Sequence, residues 1–102
     1  MKQYVAILSV KSMDAPADAD ALVGQHVENL RKFHKAGALI LCGLLKDVDG
    51  ALLLFKAGSH QEVENLLLSD PLIRDYYTFV IHEFIEANEG NNYLMDQNEE
   101  SP

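Results

Sequence analysis

Two segments of this chain, Ala38-Leu39-Ile40-Leu41-Cys42 and Ala51-Leu52-Leu53-Leu54-Phe55, are apolar at every position. Their length and flanking turn residues mark them as strands, and a strand with one solvated face would alternate apolar and polar side chains. Both faces of these strands therefore need a cover. The linker Lys46-Asp47-Val48-Asp49-Gly50 is short, and its Asp-Gly offers the positive φ of a tight turn, so the two strands form a hairpin. Helices can cover one face of the sheet that holds this hairpin. A second copy of the chain is the simplest cover for the other, which predicts a homodimer.

The periodicities around the hairpin supply those helices and two further strands. Tyr4 to Val10 is rich in β-formers, and the stretch from Met13 to Ala21, with Pro16 and three Asp residues, breaks it into a loop. From Ala21 to Ala36 the pattern is helical: Leu22, Val23, Val27, Leu30 and Phe33 fall on one arc, with Gln25, Glu28, Arg31, Lys32 and Lys35 opposite and Gly37 as the C′ residue. Ser59-x-x-Glu62 is a capping box opening a helix that turns Val63, Leu66 and Leu67 inward, and Pro71 ends it near Asp70. Tyr76 to Ile85 is a long strand of β-branched and aromatic residues. The order β-α-β-β-α-β predicts an α+β, ferredoxin-like fold: a four-stranded antiparallel sheet with two helices on one face. Residues 1–86 form this single domain, and residues 87–102 form an acidic tail with one apolar island, Tyr93-Leu94-Met95. The tail is expected to add little to the core and to dock, if anywhere, on the partner subunit.

Composition excludes several function classes. Hydrophobic residues are 48% and charged residues 24% of 102, the balance of an ordinary folded domain. The net charge is −8, and five acidic residues (Glu86, Glu89, Asp96, Glu99, Glu100) with no Lys or Arg lie beyond residue 85. An acidic body with an acidic end repels phosphate backbones and anionic lipid, so neither nucleic acid nor membrane is an expected partner. Cys42 is the only cysteine, which rules out an internal disulfide and Cys-x-x-Cys metal sites and favours a reducing, cytoplasmic location. The apolar run Val5 to Leu8 is too short for a signal-peptide core or a membrane span.

Few residues are left to carry chemistry. His26 and His34 flank Leu30 inside the apolar arc of the first helix, where an imidazole is either a satisfied core residue or a poised acid/base. Eight residues apart, they are about 12 Å from one another along the helix, too far to share a metal. Asp70 follows Val63, Leu66 and Leu67 on the inward face of the second helix, at its negative end. A carboxylate there needs a donor, and His26 on the neighbouring helix is the candidate; the alternative is that Asp70 merely closes a turn beside Pro71. Of Tyr76 and Tyr77, which point to opposite faces of a strand, one can line a pocket. Cys42, in so apolar a strand, is read as a packing residue, and His60, inside the capping box, as solvated. His82 and Glu83 are adjacent on a strand and face opposite ways.

Gln25-His26-Val27-Glu28-Asn29-Leu30, Gly37-Ala38-Leu39-Ile40-Leu41-Cys42-Gly43 and Ser69-Asp70-Pro71-Leu72, in that order and spacing, resemble the His-containing first helix, the second strand ending in Gly and the Asp-Pro signature of YCII-related proteins. The resemblance spans roughly residues 1 to 86. It implies a dimeric α+β barrel with His26 and Asp70 as the catalytic pair; Gly43 and Tyr77 are the candidate substrate-binding residues. Some members of that family act on small ring-containing compounds such as chlorinated hydroxyquinols, removing HCl, without metal or organic cofactor. Many have Pro after the strand-two Gly; here Leu44-Leu45 follows Gly43, which alters the pocket rim.

Two functions follow. One is a small cofactor-independent enzyme, lyase- or isomerase-like, in which His26 oriented by Asp70 moves a proton on a small, ring-containing substrate. The other is a non-catalytic dimeric module that binds a small ligand or a partner, with His26 and Asp70 as a buried structural pair.

Overall fold

The computed structural model describes residues 1–11 and 17–99, so part of the loop expected from Met13, and residues 100–102 of the tail, lie outside the described residues. Its elements are β1 (Lys2–Val10), α1 (Ala19–Lys35), β2 (Leu39–Leu45), β3 (Gly50–Ala57), α2 (His60–Leu68), α3 (Pro71–Tyr76) and β4 (Tyr77–Phe84), followed by a kinked 3-10 segment, Glu89–Glu99. The strands form one antiparallel sheet in the order β2-β3-β1-β4. This is the α+β, ferredoxin-like arrangement that the sequence predicts.

Pairing register decides which residues meet the helices. Ala6 of β1 lies opposite Leu53 of β3 and Ile81 of β4, so alternate residues of all three strands share a face. On that face Tyr4, Ala6, Leu8, Leu53, Phe55 and Ala57 are buried against Val63 and Leu67 of α2 and Ile73 of α3. The other face pairs Val5 with Leu54 and His82, and Ile7 with Leu52 and Val80. Its centre is apolar and its margins are open, with Leu41, Val80 and Phe84 all more than 40% exposed.

Local sequence signals account for most of the element ends. Ser59 Oγ accepts from Glu62 N at 3.2 Å, and the Glu62 carboxylate accepts from Gly58 N at 3.0 Å, one residue before the N-cap it would bond in a standard capping box. Gly37, at φ 84°, follows α1 in the left-handed conformation. Gly50 corrects the expectation for the hairpin. Among the described residues Gly37 is the only glycine at positive φ, and Gly50 instead opens β3 after a four-residue turn. It is required for space, because a Cβ at Gly50 would overlap the Leu8 carbonyl oxygen of the adjacent strand. Gly50→Ala is therefore expected to cost about 1–3 kcal/mol, the usual penalty of overpacking. Urea denaturation would measure it, and a variant as stable as the parent would contradict the close approach.

Two helical expectations also change. Pro71 ends α2, but it also sits at the first position of a further six-residue helix, α3, with Asp70 as its N-cap. Proline's missing N–H costs nothing there and its φ suits the first turn, so one Asp-Pro pair both stops a helix and starts another. In α1 the inward arc is rotated from the one the aliphatic residues mark. Leu22, His26, Asn29, Leu30 and Phe33 face the body, while Val23 and Val27 are 49% and 39% exposed and His34 is exposed. No residue of α1 is fully buried. The polar contacts of His26 and Asn29 orient this helix more than its valines do.

Candidate functional site

Asp70 is the centre of the site. It is the one fully buried charged side chain among the described residues, at 0% exposure, and each of its oxygens has a separate task. Oδ1 caps α3, accepting from Leu72 N at 2.9 Å and Ile73 N at 3.3 Å. Oδ2 turns to α1, where His26 Nδ1 donates at 2.8 Å and Asn29 Nδ2 at 3.2 Å. Four donors satisfy the carboxylate, which explains how a charge is tolerated where burial alone would expel it. The dipole argument from the sequence is reversed: Asp70 lies past the negative end of α2, at the positive end of α3. The turn-closing and imidazole-binding roles are thus held together, one on each oxygen.

This geometry sets the state of the imidazole. An ionised carboxylate has no hydrogen to give, so the proton in the 2.8 Å contact lies on Nδ1 of His26. Nε2 is then the ring nitrogen left for a proton or a ligand. The His26 side chain is 22% exposed and lines a cavity of about 200 Å³ between α1 and the sheet. Leu8, Ala51 and Leu53 form the cavity floor and Leu30 its α1 wall, while Cys42, Gly43 and Leu44 of β2 and Tyr77 of β4 border it. An apolar cavity of about 150 Å³ holds benzene, so this one has room for a single substituted ring.

The residues singled out by the sequence distribute as follows. His26, Gly43 and Tyr77 border the cavity, with Asp70 behind His26, whereas Tyr76 ends α3. Cys42 corrects the packing expectation. It is exposed at the cavity edge, because β2 is an outer strand that α1 covers only in part. His34 lies in a separate groove, His60 packs edge-on to Tyr4 with ring centres 6.4 Å apart, and His82 is exposed on the helix-free face. Asn29 was missed. Its position three residues after His26 places both side chains on one face of a helix, a signal present in the sequence but shared by many surface asparagines.

Among the described residues no three His, Cys, Asp or Glu side chains gather as a metal site would require, and no helix is long and apolar enough to cross a membrane. The two-point contact from Arg74, at 3.0 and 3.2 Å, holds the exposed Asp75 carboxyl below its usual range. That pair lines no part of the cavity.

Fold and site together define a class: a small two-layer α+β domain in which a buried, helix-capping aspartate holds a histidine at the wall of an apolar cavity. No protein-family profile matches the chain, and no curated relative matches it by sequence. Its structure is similar to that of 5-chloro-2-hydroxyhydroquinone dehydrochlorinase (TftG) from Burkholderia phenoliruptrix AC1100, solved in complex with 2,5-dihydroxybenzoquinone. The TM-score is 0.57 and the identity 14%, over 88% of this chain and 99% of that one. At that identity the likeness establishes a common fold and nothing finer.

Proposed function

We propose that the chain is a small cofactor-independent enzyme of the YCII-related kind, in which His26 acts as a general base on a small ring-containing substrate held in the 200 Å³ cavity. The observation that carries this reading is the 2.8 Å bond from His26 Nδ1 to a buried Asp70 that three further donors hold in place. A carboxylate so fixed holds the neutral ring in the tautomer whose lone pair is on Nε2 and offsets the charge that appears on the ring when Nε2 takes a proton. Imidazole exchanges protons near neutral pH, which suits the task. The reaction is lyase- or isomerase-like: a proton leaves an acidic O–H or C–H of the ring for Nε2 while a leaving group departs or a double bond shifts. Tyr77 bears the hydroxyl at the cavity border that can bond a ring oxygen, and Gly43 gives the ring access to the β2 backbone.

The dehydrochlorinase of like fold is known with a dihydroxybenzoquinone, which makes that compound the first probe. Titration with 2,5-dihydroxybenzoquinone is expected to raise the melting temperature, since a ligand that binds only the native state stabilises it. Release of chloride from a chlorinated hydroxyquinol is expected alongside. If neither compound changes the melting temperature and no chloride appears, the ring-substrate reading fails.

The same reading includes a second copy of the chain over the helix-free face. That face is self-complementary in chemistry, with Val5, Ile7, Leu52 and Leu54 at the centre, and a two-fold axis would set the patch against itself. Sedimentation at micromolar concentration is expected to give a dimer, and Ile7→Lys with Leu54→Lys a monomer. A parent chain that sediments as a monomer would refute it.

A further inference from the structure

Two apolar surfaces extend beyond the cavity and the centre of the helix-free face. The first is a groove of about 450 Å³ between α1 and β2. Its apolar wall contains Val27, Ile40 and Leu41, 39%, 37% and 51% exposed, and Arg31, His34 and Lys35 border it. The groove exists because α1 is rotated to turn Val27 outward and because β2 is an outer strand with an irregular register between Leu39 and Leu41. An edge strand beside exposed aliphatic side chains invites association unless something covers it. Arg31 is tied to Glu28 at 2.8 Å, whereas His34 and Lys35 make no ion pair among the described residues.

The second surface is the segment after β4, which builds its own turn. Asn88 N donates to Asn91 Oδ1 at 3.0 Å, Asn91 N returns the bond to Asn88 Oδ1 at 3.2 Å, and Asn91 Nδ2 reaches the Glu86 carbonyl at 2.8 Å. Leu94 N adds a bond to Asn91 Oδ1 at 3.1 Å. The turn holds Asn92, Tyr93 and Leu94 at φ 51°, 53° and 73°, a region that bulky residues avoid. Its product is a pair of large side chains displayed to water, Tyr93 at 62% and Met95 at 65% exposure. Among the described residues the turn also packs against no strand or helix of the body beyond marginal contact. The radius of gyration is 15.6 Å, against about 13 Å for a compact domain of this length, and the longest dimension is 53 Å.

We infer that the turn at Asn88–Met95 is a docking element whose receptor is the α1–β2 groove of a second copy of the chain. Charge selects this pairing: beyond residue 85 the chain has five acidic residues and no Lys or Arg, while the groove presents His34 and Lys35 beside Arg31 on a chain of net charge −8. Shape supports it, since a preorganised turn inserts Tyr93 and Met95 at little further entropic cost, and the Val27, Ile40 and Leu41 wall is the apolar surface they would cover. A second copy is favoured over the same chain because β4 and β2 are opposite edges of the sheet and the turn projects outward. Exchange of tails about a two-fold axis closes the assembly, each tail entering the other copy's groove. The inference rests on the homodimer proposed above only for the presence of that second copy.

Cys42 is the only cysteine in the chain and borders the groove, so it can report the docking. In Met95→Cys protein treated with a short bismaleimide, a covalent dimer is expected on a denaturing gel. That product should vanish in Met95→Cys with Cys42→Ser, and fade when Arg31→Glu and Lys35→Glu are added. Absence of the dimer, its survival without Cys42, or consumption of both thiols at monomer mass would overturn the inference, the last by showing that the tail docks on its own chain. Deleting residues 91–102 should leave the fold intact and weaken dimerisation by about tenfold or more, the effect of losing a buried apolar anchor; an unchanged dimer affinity would also overturn it. The crosslink is read without substrate, so its failure is separate from failure of the enzymatic reading.

Discussion

Asp70→Ala is expected to lower stability by about 3 kcal/mol, the combined effect of losing an N-cap and leaving buried donors unpaired. For a domain of this size that corresponds to a fall of roughly 12–24 °C in melting temperature. The expectation follows from the four donors that converge on one fully buried carboxylate: the backbone N–H groups of Leu72 and Ile73, and the side chains of His26 and Asn29. Asp70→Asn separates the two tasks of the residue. An amide oxygen can still cap α3, as Asn does nearly as well as Asp, so the stability loss should be only about 1 kcal/mol. The amide NH2 would then face two other donors, and His26 could relieve the conflict only by moving its proton from Nδ1 to Nε2. The variant would remain folded with its base in the wrong tautomer, and activity should drop by about a thousandfold to ten-thousandfold. Thermal and urea unfolding of the two variants side by side would check this. Equal losses for Ala and Asn, or an Ala variant within about 0.5 kcal/mol of the parent, would show that the cap is not what Asp70 contributes.

The largest effect on function is expected from His26→Ala, which should reduce chloride release from a chlorinated hydroxyquinol by about a hundredfold to ten-thousandfold. Stability should change far less, by about 1 kcal/mol, because Asp70 keeps three of its four donors and the vacated space opens to solvent. Binding of 2,5-dihydroxybenzoquinone should survive, since the apolar lining from Leu8, Leu30 and Leu53 is untouched. Asn29→Leu should be milder than either: Asp70 loses one donor to Oδ2, His26 retains its own bond, and activity drops several-fold with the tautomer still correct. The comparison discriminates the two readings of the pair. A purely structural pair predicts that His26→Ala lowers the melting temperature without altering ligand response or turnover. A catalytic pair predicts loss of turnover with melting and binding largely preserved.

The crosslink from Met95→Cys to Cys42 addresses the assembly rather than the chemistry, and it tests two surfaces that lie far apart in sequence. By periodicity Val27 belongs to the inward arc of α1, and Tyr93-Leu94-Met95 is an apolar island in an acidic tail. Their relation becomes visible only when α1 is seen to turn Val27 outward and β2 to occupy the sheet edge.

The features legible along the chain are those that short-range chemistry dictates. Ser59 and Glu62 mark the start of α2, Gly37 the end of α1, the two unbroken apolar runs the hairpin, and Pro71 the stop beside Asp70. Each depends on contacts within a few residues, or on a periodicity of two or 3.6 that is written along the chain. From these the element order and the ferredoxin-like sheet follow, and so does the suspicion that a carboxylate at position 70 needs a partner. The rest came from how the elements pack. It brought Asn29 to Asp70 across 41 residues of sequence and rotated α1 so that Val27 and His34 turn outward while His26 keeps its inward place. It also extended the Asp-Pro stop into α3, so that the carboxylate caps one helix while binding a side chain of another. Gly50 is the plainest case. Its type suggested a turn with positive φ, and its actual reason is the Leu8 carbonyl of another strand, an atom that no local pattern can anticipate. Burial, edge position and cavity shape depend on which surfaces meet, and that is set by the packing of the whole sheet against its helices rather than by any one segment.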